Sequence, residues 1–351
     1  MRQFFGMSQS GNLNEAVSGL TNPQLILLMS NSSQFEAHVK RLEELYPRVP
    51  SIGCIGMSYD TKVVEKGVGV IAFCDGVTAA ANVLEEVSVM PVKYIERLER
   101  DVRDINSSNT NTVCIDFCAG NDACVLTTVY SVLKQRGISL VGGTGDGGKV
   151  SANGRVYKDA VAYALVKNNS GRVKAYKENI YHPMGRYRFI ASRTDKANYI
   201  LGELNGVPAK KVYQDILHIT EQEIQTQTFK NPFGKINGDD ICIISIQEVC
   251  GNALKCFRQV NDSDVLILLE LGNYRQIVKR TIQMIRSDFP KISAVFSVNC
   301  LFRYLLFSEN HYMEEYLREM SALGNHAGLV GYGEHYNNRF VNQSMTCVVF
   351  E

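Results

Sequence analysis

One order of elements occurs three times along this chain, and it limits the possible folds more than any other feature. Gln24–Met29 is an unbroken apolar run of strand length, and Phe35, Val39, Leu42 and Leu45 then recur at helical spacing behind Ser33, a residue suited to cap a helix. Ser51–Ile55 and Val63–Phe73 read as two further strands. The same β-α-β-β order returns at Thr112–Val166. Thr112–Phe117 is the strand, Asn121 or Asp122 caps a helix with Val125, Val129, Val132 and Leu133 on its apolar face, and Gly137 ends it. Ile138–Val141 follows, and Arg155–Val166 closes the unit through an Asn153-Gly154 turn. The third occurrence runs from Ile292–Val298 through a mainly helical Leu301–Leu323 to strands at Leu329–Tyr332 and Phe340–Phe350. A β-β-α segment precedes it, with strands Ile241–Ile246 and Val265–Leu271 and a helix over Tyr274–Ile285. The pattern predicts an α/β protein of two domains, with mixed β-sheets flanked by helices and built from repeated βαββ units. The Asn168–Gly171 turn and the Pro- and Gly-broken stretch Tyr181–Arg188 place the boundary near residues 168–185, giving domains of 1–170 and 171–351.

The composition excludes several functional classes. A chain of 351 residues with 45% hydrophobic and 21% charged side chains has enough apolar surface to offset its ordering entropy. Thirty-seven basic against 36 acidic side chains leave a net charge of +1, which provides no electrostatic footprint for nucleic acid. The longest apolar runs, such as Leu25–Met29, Val68–Phe73 and Val265–Leu269, fall well short of the ~20 residues that span a bilayer. Met1–Gly11 lacks the apolar core of a signal peptide, so a cytoplasmic protein away from membranes is expected. The ten cysteines contain no CxxC pair, and Cys114, Cys118 and Cys124 lack the spacing of a structural zinc site. Reduced thiols packed as small hydrophobes fit this pattern, and no metal is expected.

The repeats align at a Gly-rich turn after the second strand: GCIGMS at Gly53–Ser58, GGTGDG at Gly142–Gly147 and VGYGEH at Val330–His335, with Gly56, Gly145 and Gly333 at equivalent places. Ligands of mixed α/β sheets favour such strand ends. The GGTGDGG segment is not a phosphate loop, because it has no GxxxxGK[ST] and leads into a hairpin rather than a helix. No GxSxG elbow, HxxxH or HExxH occurs, so hydrolase chemistry has no sequence support. The most informative segment is Asn299–Arg303. Here a strand ends where a helix begins, so Cys300 is the thiol best placed for a lowered pKa. Arg303 opposes the helix dipole and calls for an anion, either a structural carboxylate or a ligand, with Glu334 as a candidate partner. An Arg–Glu pair can also grip the two ends of an amino acid. The candidate ligand-binding set is therefore Asn299, Cys300, Arg303, Tyr332, Gly333, Glu334 and Asn342, with no catalytic residue and no cofactor. His182, in Tyr181-His182-Pro183, supports only an alternative in which it ligates a non-covalent haem.

Taken together, Gly142–Gly148, Gly154–Ala162, His182–Gly185, Leu204–Tyr213, Asn231–Gly234, Asn299–Arg303, Gly331–Glu334 and Asn342–Thr346 resemble, in order and spacing, the FIST family of bacterial sensory proteins. Gly53–Ser58 departs from that pattern, since no Glu follows its second Gly. The resemblance implies a non-enzymatic signal-input module that binds small ligands, amino acids among them. It would act through a separate partner such as a kinase, cyclase or chemotaxis receptor. A haem-based nitric-oxide sensor and an enzyme acting on a small amino-acid-like substrate are the alternatives.

Overall fold

The computed structural model describes every residue except 120–121 and 238–239. The expected cap Asn121 and the side chains of 122–125 lie outside the described residues. The chain divides into two compact units. The first contains Met1–Glu178, Val278–Phe340 and Ser344–Glu351, and the second contains Asn179–Ile277 and Val341–Gln343.

All three repeats fall in the first unit, and each builds a six-stranded sheet of the same order. In the first repeat a lead strand, Pro23–Ser30, runs into the helix Phe35–Leu45 and a parallel strand, Ser51–Ile55. A return strand, Val68–Cys74, then pairs antiparallel with the other side of the lead strand. The second repeat does the same with Thr112–Ala119, Asp122–Lys134, Ser139–Thr144 and Ala160–Asn168. The third uses Ala294–Cys300, Asn325–Gly331 and Ser344–Phe350. Its expected single helix is two, Leu301–Glu309 and Met313–Ser321, broken where His311 takes a φ of 51°. Alternate lead-strand side chains, Leu25, Leu27 and Met29, Ile115 and Phe117, Phe296 and Val298, meet in one buried core. The intervening residues Ile26, Leu28, Cys114 and Cys118 face the helices. That division follows from the period of two in a strand covered on both faces.

After each parallel strand the chain does not return at once. A short link strand first crosses to a neighbouring repeat. Met57–Tyr59 of the first repeat pairs with Asn325–Gly331 of the third, Asp146–Ala152 of the second with Ser51–Ile55 of the first, and Glu334–Tyr336 of the third with Ser139–Thr144 of the second. The exchange forms a closed cycle, so no parallel strand keeps a bare edge. An edge strand precedes each lead strand: Arg2–Ser8, Val77–Glu85 and Val173–Asn179.

Between edge strand and lead strand the first two repeats place a helix, Leu13–Ala16 and Ile95–Asp104. The third places residues 179–277 there, and the helix Tyr274–Asp288 begins within the end of that segment. The second compact unit is thus an insertion into the third repeat, and a cut at 170/171 separates that repeat from the two it packs with. Within the insertion, Tyr181–Ser192 pairs with Val265–Leu271 over a core of Phe189, Tyr213, Phe233, Leu266 and Leu268. The expected strand Ile241–Ile246 is divided at Ser245 into Asp240–Ile244 and Ile246–Cys250.

Candidate functional site

The Gly-rich turns are where each parallel strand passes into its link strand. Gly56 and Gly145 are equivalent, since their N–H groups donate at 3.1 Å to the carbonyls of Ser30 and Cys118 near the ends of the lead strands. In the third repeat Tyr332 takes that place, after the paired Gly331, and Gly333 is one residue further on. The extra residue stitches two turns together: Tyr332 N–H donates to Thr144 O, and Thr144 N–H donates to Gly333 O, both at 2.9 Å. A side chain at Gly333 would overlap the Phe340 ring.

The link strand that leaves this turn carries the charged groups. Glu334 is completely buried, and its Oε2 accepts from the Ser344 hydroxyl at 2.9 Å and the Ser344 N–H at 3.2 Å. The Cys300 thiol also hydrogen-bonds to this carboxyl. Oε1 has no partner. Burial pushes Glu334 up to about 8, against the opposing effects of Ser344, Cys300 and His335. Burial thus favours the protonated carboxyl.

His335 alternates to the other face of the strand, where Nδ1 lies 2.7 Å from Asp116 Oδ2 with both side chains buried. Asp116 stands opposite Gly142 in the parallel ladder, and a side chain at Gly142 would collide with the Asp116 carbonyl and carboxylate. Asn299, on the lead strand beside Cys300, is completely buried with neither amide atom bonded. Tyr332 is 44% exposed, and its hydroxyl donates to Asp146 Oδ2 at 3.3 Å.

The expected Arg303–Glu334 pair does not form. Arg303 is completely buried and donates to Glu178, from the edge strand Val173–Asn179, with its guanidinium 4.7 Å from the Phe307 ring centroid and 5.4 Å from that of Tyr316. Glu178 raises the basicity of Arg303 despite a burial that works against its charge. The anion that this helix start requires is thus a structural carboxylate. Of the seven candidates, Asn299, Cys300, Tyr332, Gly333 and Glu334 share the turn region, and Arg303 is tied to Glu178. Asn342 falls in the 341–343 segment of the second compact unit. His182, half exposed, lies 3.5 Å from Glu270 within that second unit. Sequence reasoning missed Asp116, His335 and Ser344. A lone acid inside the apolar run Thr112–Phe117 was the available signal for the first.

Three sheets exchanging strands around a turn with unpartnered buried polar groups define a repeat-built α/β protein with a candidate small-ligand site. The FIST N domain model matches residues 24–207 and the FIST C domain model residues 209–337, so the chain belongs to the FIST family, whose domains are sensory modules that bind small ligands and act with other signalling domains. The boundary between the two family models falls inside the second compact unit. A crystal structure of a chorismatase resembles the chain at a TM-score of 0.38 and 9% identity, over 99% of this chain and 97% of that one. No curated protein matches the sequence. Among the described residues, no helix is long and apolar enough to cross a membrane.

Proposed function

We propose that this chain is the input receptor of a signalling system, that it binds a small amine-bearing ligand of the amino-acid class at the Glu334 turn, and that it acts through a separate output partner. The observation that carries the reading is Glu334 Oε1, a completely buried carboxyl oxygen with open hydrogen-bonding capacity beside the turn. Buried polar atoms are rarely left unbonded, and a bound molecule is one way to satisfy them. In this reading Glu334 receives the ligand's ammonium. With Arg303 committed to Glu178, the ligand's anionic end falls to the backbone of the turn.

The test is a thermal-shift panel of the amino acids and simple amines at pH 8. A true ligand at a hundred times its Kd stabilises the fold by about 2.7 kcal/mol. Glu334→Gln is expected to fold and to lose that shift. A panel without a hit, or hits that bind the variant unchanged, would sink the proposal. The enzyme alternative gains one observation, the buried Asp116–His335 pair, because an imidazole oriented by a carboxylate is a general base elsewhere. Mass spectrometry of each hit after incubation with the protein separates the two: unaltered ligand supports the receptor.

A further inference from the structure

We propose that the site exchanges a proton for its ligand: a protonated amine enters as the Glu334 carboxyl releases its proton to solvent, so occupancy reports amine concentration and pH together. This rests on the receptor reading above and specifies its regulation. The geometry leads to it directly. Glu334 is completely buried, one of its oxygens is held by Ser344 and the other is unbonded, and no lysine or arginine pairs with it among the described residues. An ionised carboxylate in such a place is prohibitively costly without a cation. The free site therefore stores a neutral acid, in line with the raised proton affinity that burial gives it. A ligand ammonium supplies the missing cation. The exchange balances as carboxylic acid plus ammonium giving the carboxylate–ammonium pair and one proton in solution.

The surroundings leave this role to Glu334. On the elements packed against its strand the titratable groups are Cys300 on Ala294–Cys300, Cys347 on Ser344–Phe350, and Arg339. Cys300 hydrogen-bonds to Glu334. Cys347 senses the Arg303–Glu178 pair, and burial pushes its thiol far up. His335 projects from the opposite face, held by Asp116, and its effect on Glu334 is the smallest of those that oppose burial. Ser139–Thr144, the strand paired with Glu334–Tyr336, carries no titratable side chain.

The expected affinity for an amine rises about tenfold per pH unit between pH 6 and 8 and then levels off. The probes are ethylammonium chloride and L-alanine, with propionamide as the uncharged control. Each is titrated calorimetrically into the wild-type protein at pH 7 in buffers of differing ionisation enthalpy. Release of about one proton per amine bound, a tenfold pH slope, and loss of both in Glu334→Gln support the exchange. Binding without proton release, an affinity flat across pH 6–8, equal binding by Glu334→Gln, or preference for propionamide overturns it and leaves the receptor reading standing. No binding by either amine, while another member of the thermal-shift panel binds, overturns the exchange alone. No binding by any panel member overturns both.

Discussion

Glu178 and Glu334 sit in the same compact unit, 3% and 0% exposed, yet their surroundings set them to opposite tasks. Glu178 receives the guanidinium of Arg303, which is stacked among Phe307 and Tyr316. Glu334 receives only a hydroxyl, an amide N–H and a thiol, and keeps one oxygen unbonded. Glu178 Oε2 is unbonded too, so the difference lies in the cation, and a buried carboxylate paired with one serves the fold. One without a cation keeps a proton and remains open to whatever can replace it.

The comparison breaks most readily at Arg303. Arg303→Leu strands an uncompensated charge on Glu178 and is expected to cost about 3–5 kcal/mol in denaturant unfolding. The double variant with Glu178→Leu should recover most of that loss. Glu334→Gln should cost under about 1 kcal/mol at pH 7, since it imitates the acid already present. Equal losses for Arg303→Leu and Glu334→Gln would erase the distinction.

A second effect concerns pH. The folded state holds the Glu334 proton up to about 8, while an unfolded chain releases it near the ordinary 4.5. The stability it contributes is therefore complete below pH 4.5 and is lost as pH rises through 8, by at most about 1.4 kcal/mol per unit. His326 has the opposite sign. Burial pulls it down to about 3, so its contribution is lost as pH falls from 6.5 towards 3. Tm followed from pH 5 to 8 should fall on the alkaline side in the wild type and flatten there in Glu334→Gln, while the acid side stays. An unchanged alkaline fall in the variant would place its origin elsewhere.

The smallest effect is expected at the exposed rim. Tyr332→Phe removes only the bond to Asp146 and should shift stability by less than about 0.5 kcal/mol. A larger loss would mean that the rim, and not only the buried carboxyl, holds the turn.

The three repeats were readable because apolar runs and helical spacing are local properties of the chain. The strand exchange was not, since an alternating pattern in Met57–Tyr59 or Glu334–Tyr336 announces a strand but not the sheet it joins. Arg303 shows the same limit. Its need for an anion follows from its place in the helix, but the partner is Glu178, 125 residues earlier, and not the acid of its own repeat. The alignment of glycines misled by one position because VGYGEH carries one more residue between parallel and link strands than GCIGMS does. The second compact unit was hard to place because an insertion between an edge strand and its lead strand leaves the order of the flanking repeat intact.

The closed strand exchange also has a timetable. The second repeat's link strand reaches the first repeat early, but Met57–Tyr59 must wait for Gly328–Val330, about 270 residues later. At roughly 5–20 residues per second on a ribosome, that wait is tens of seconds. During it the nascent chain carries three bare edges, Met57–Tyr59, Ser139–Thr144 and Val173–Asn179, the kind of edge on which chains aggregate. All three are covered when the third repeat arrives, and Glu334 arrives with it. The emerging protein thus covers these edges and completes the Glu334 turn in the same event.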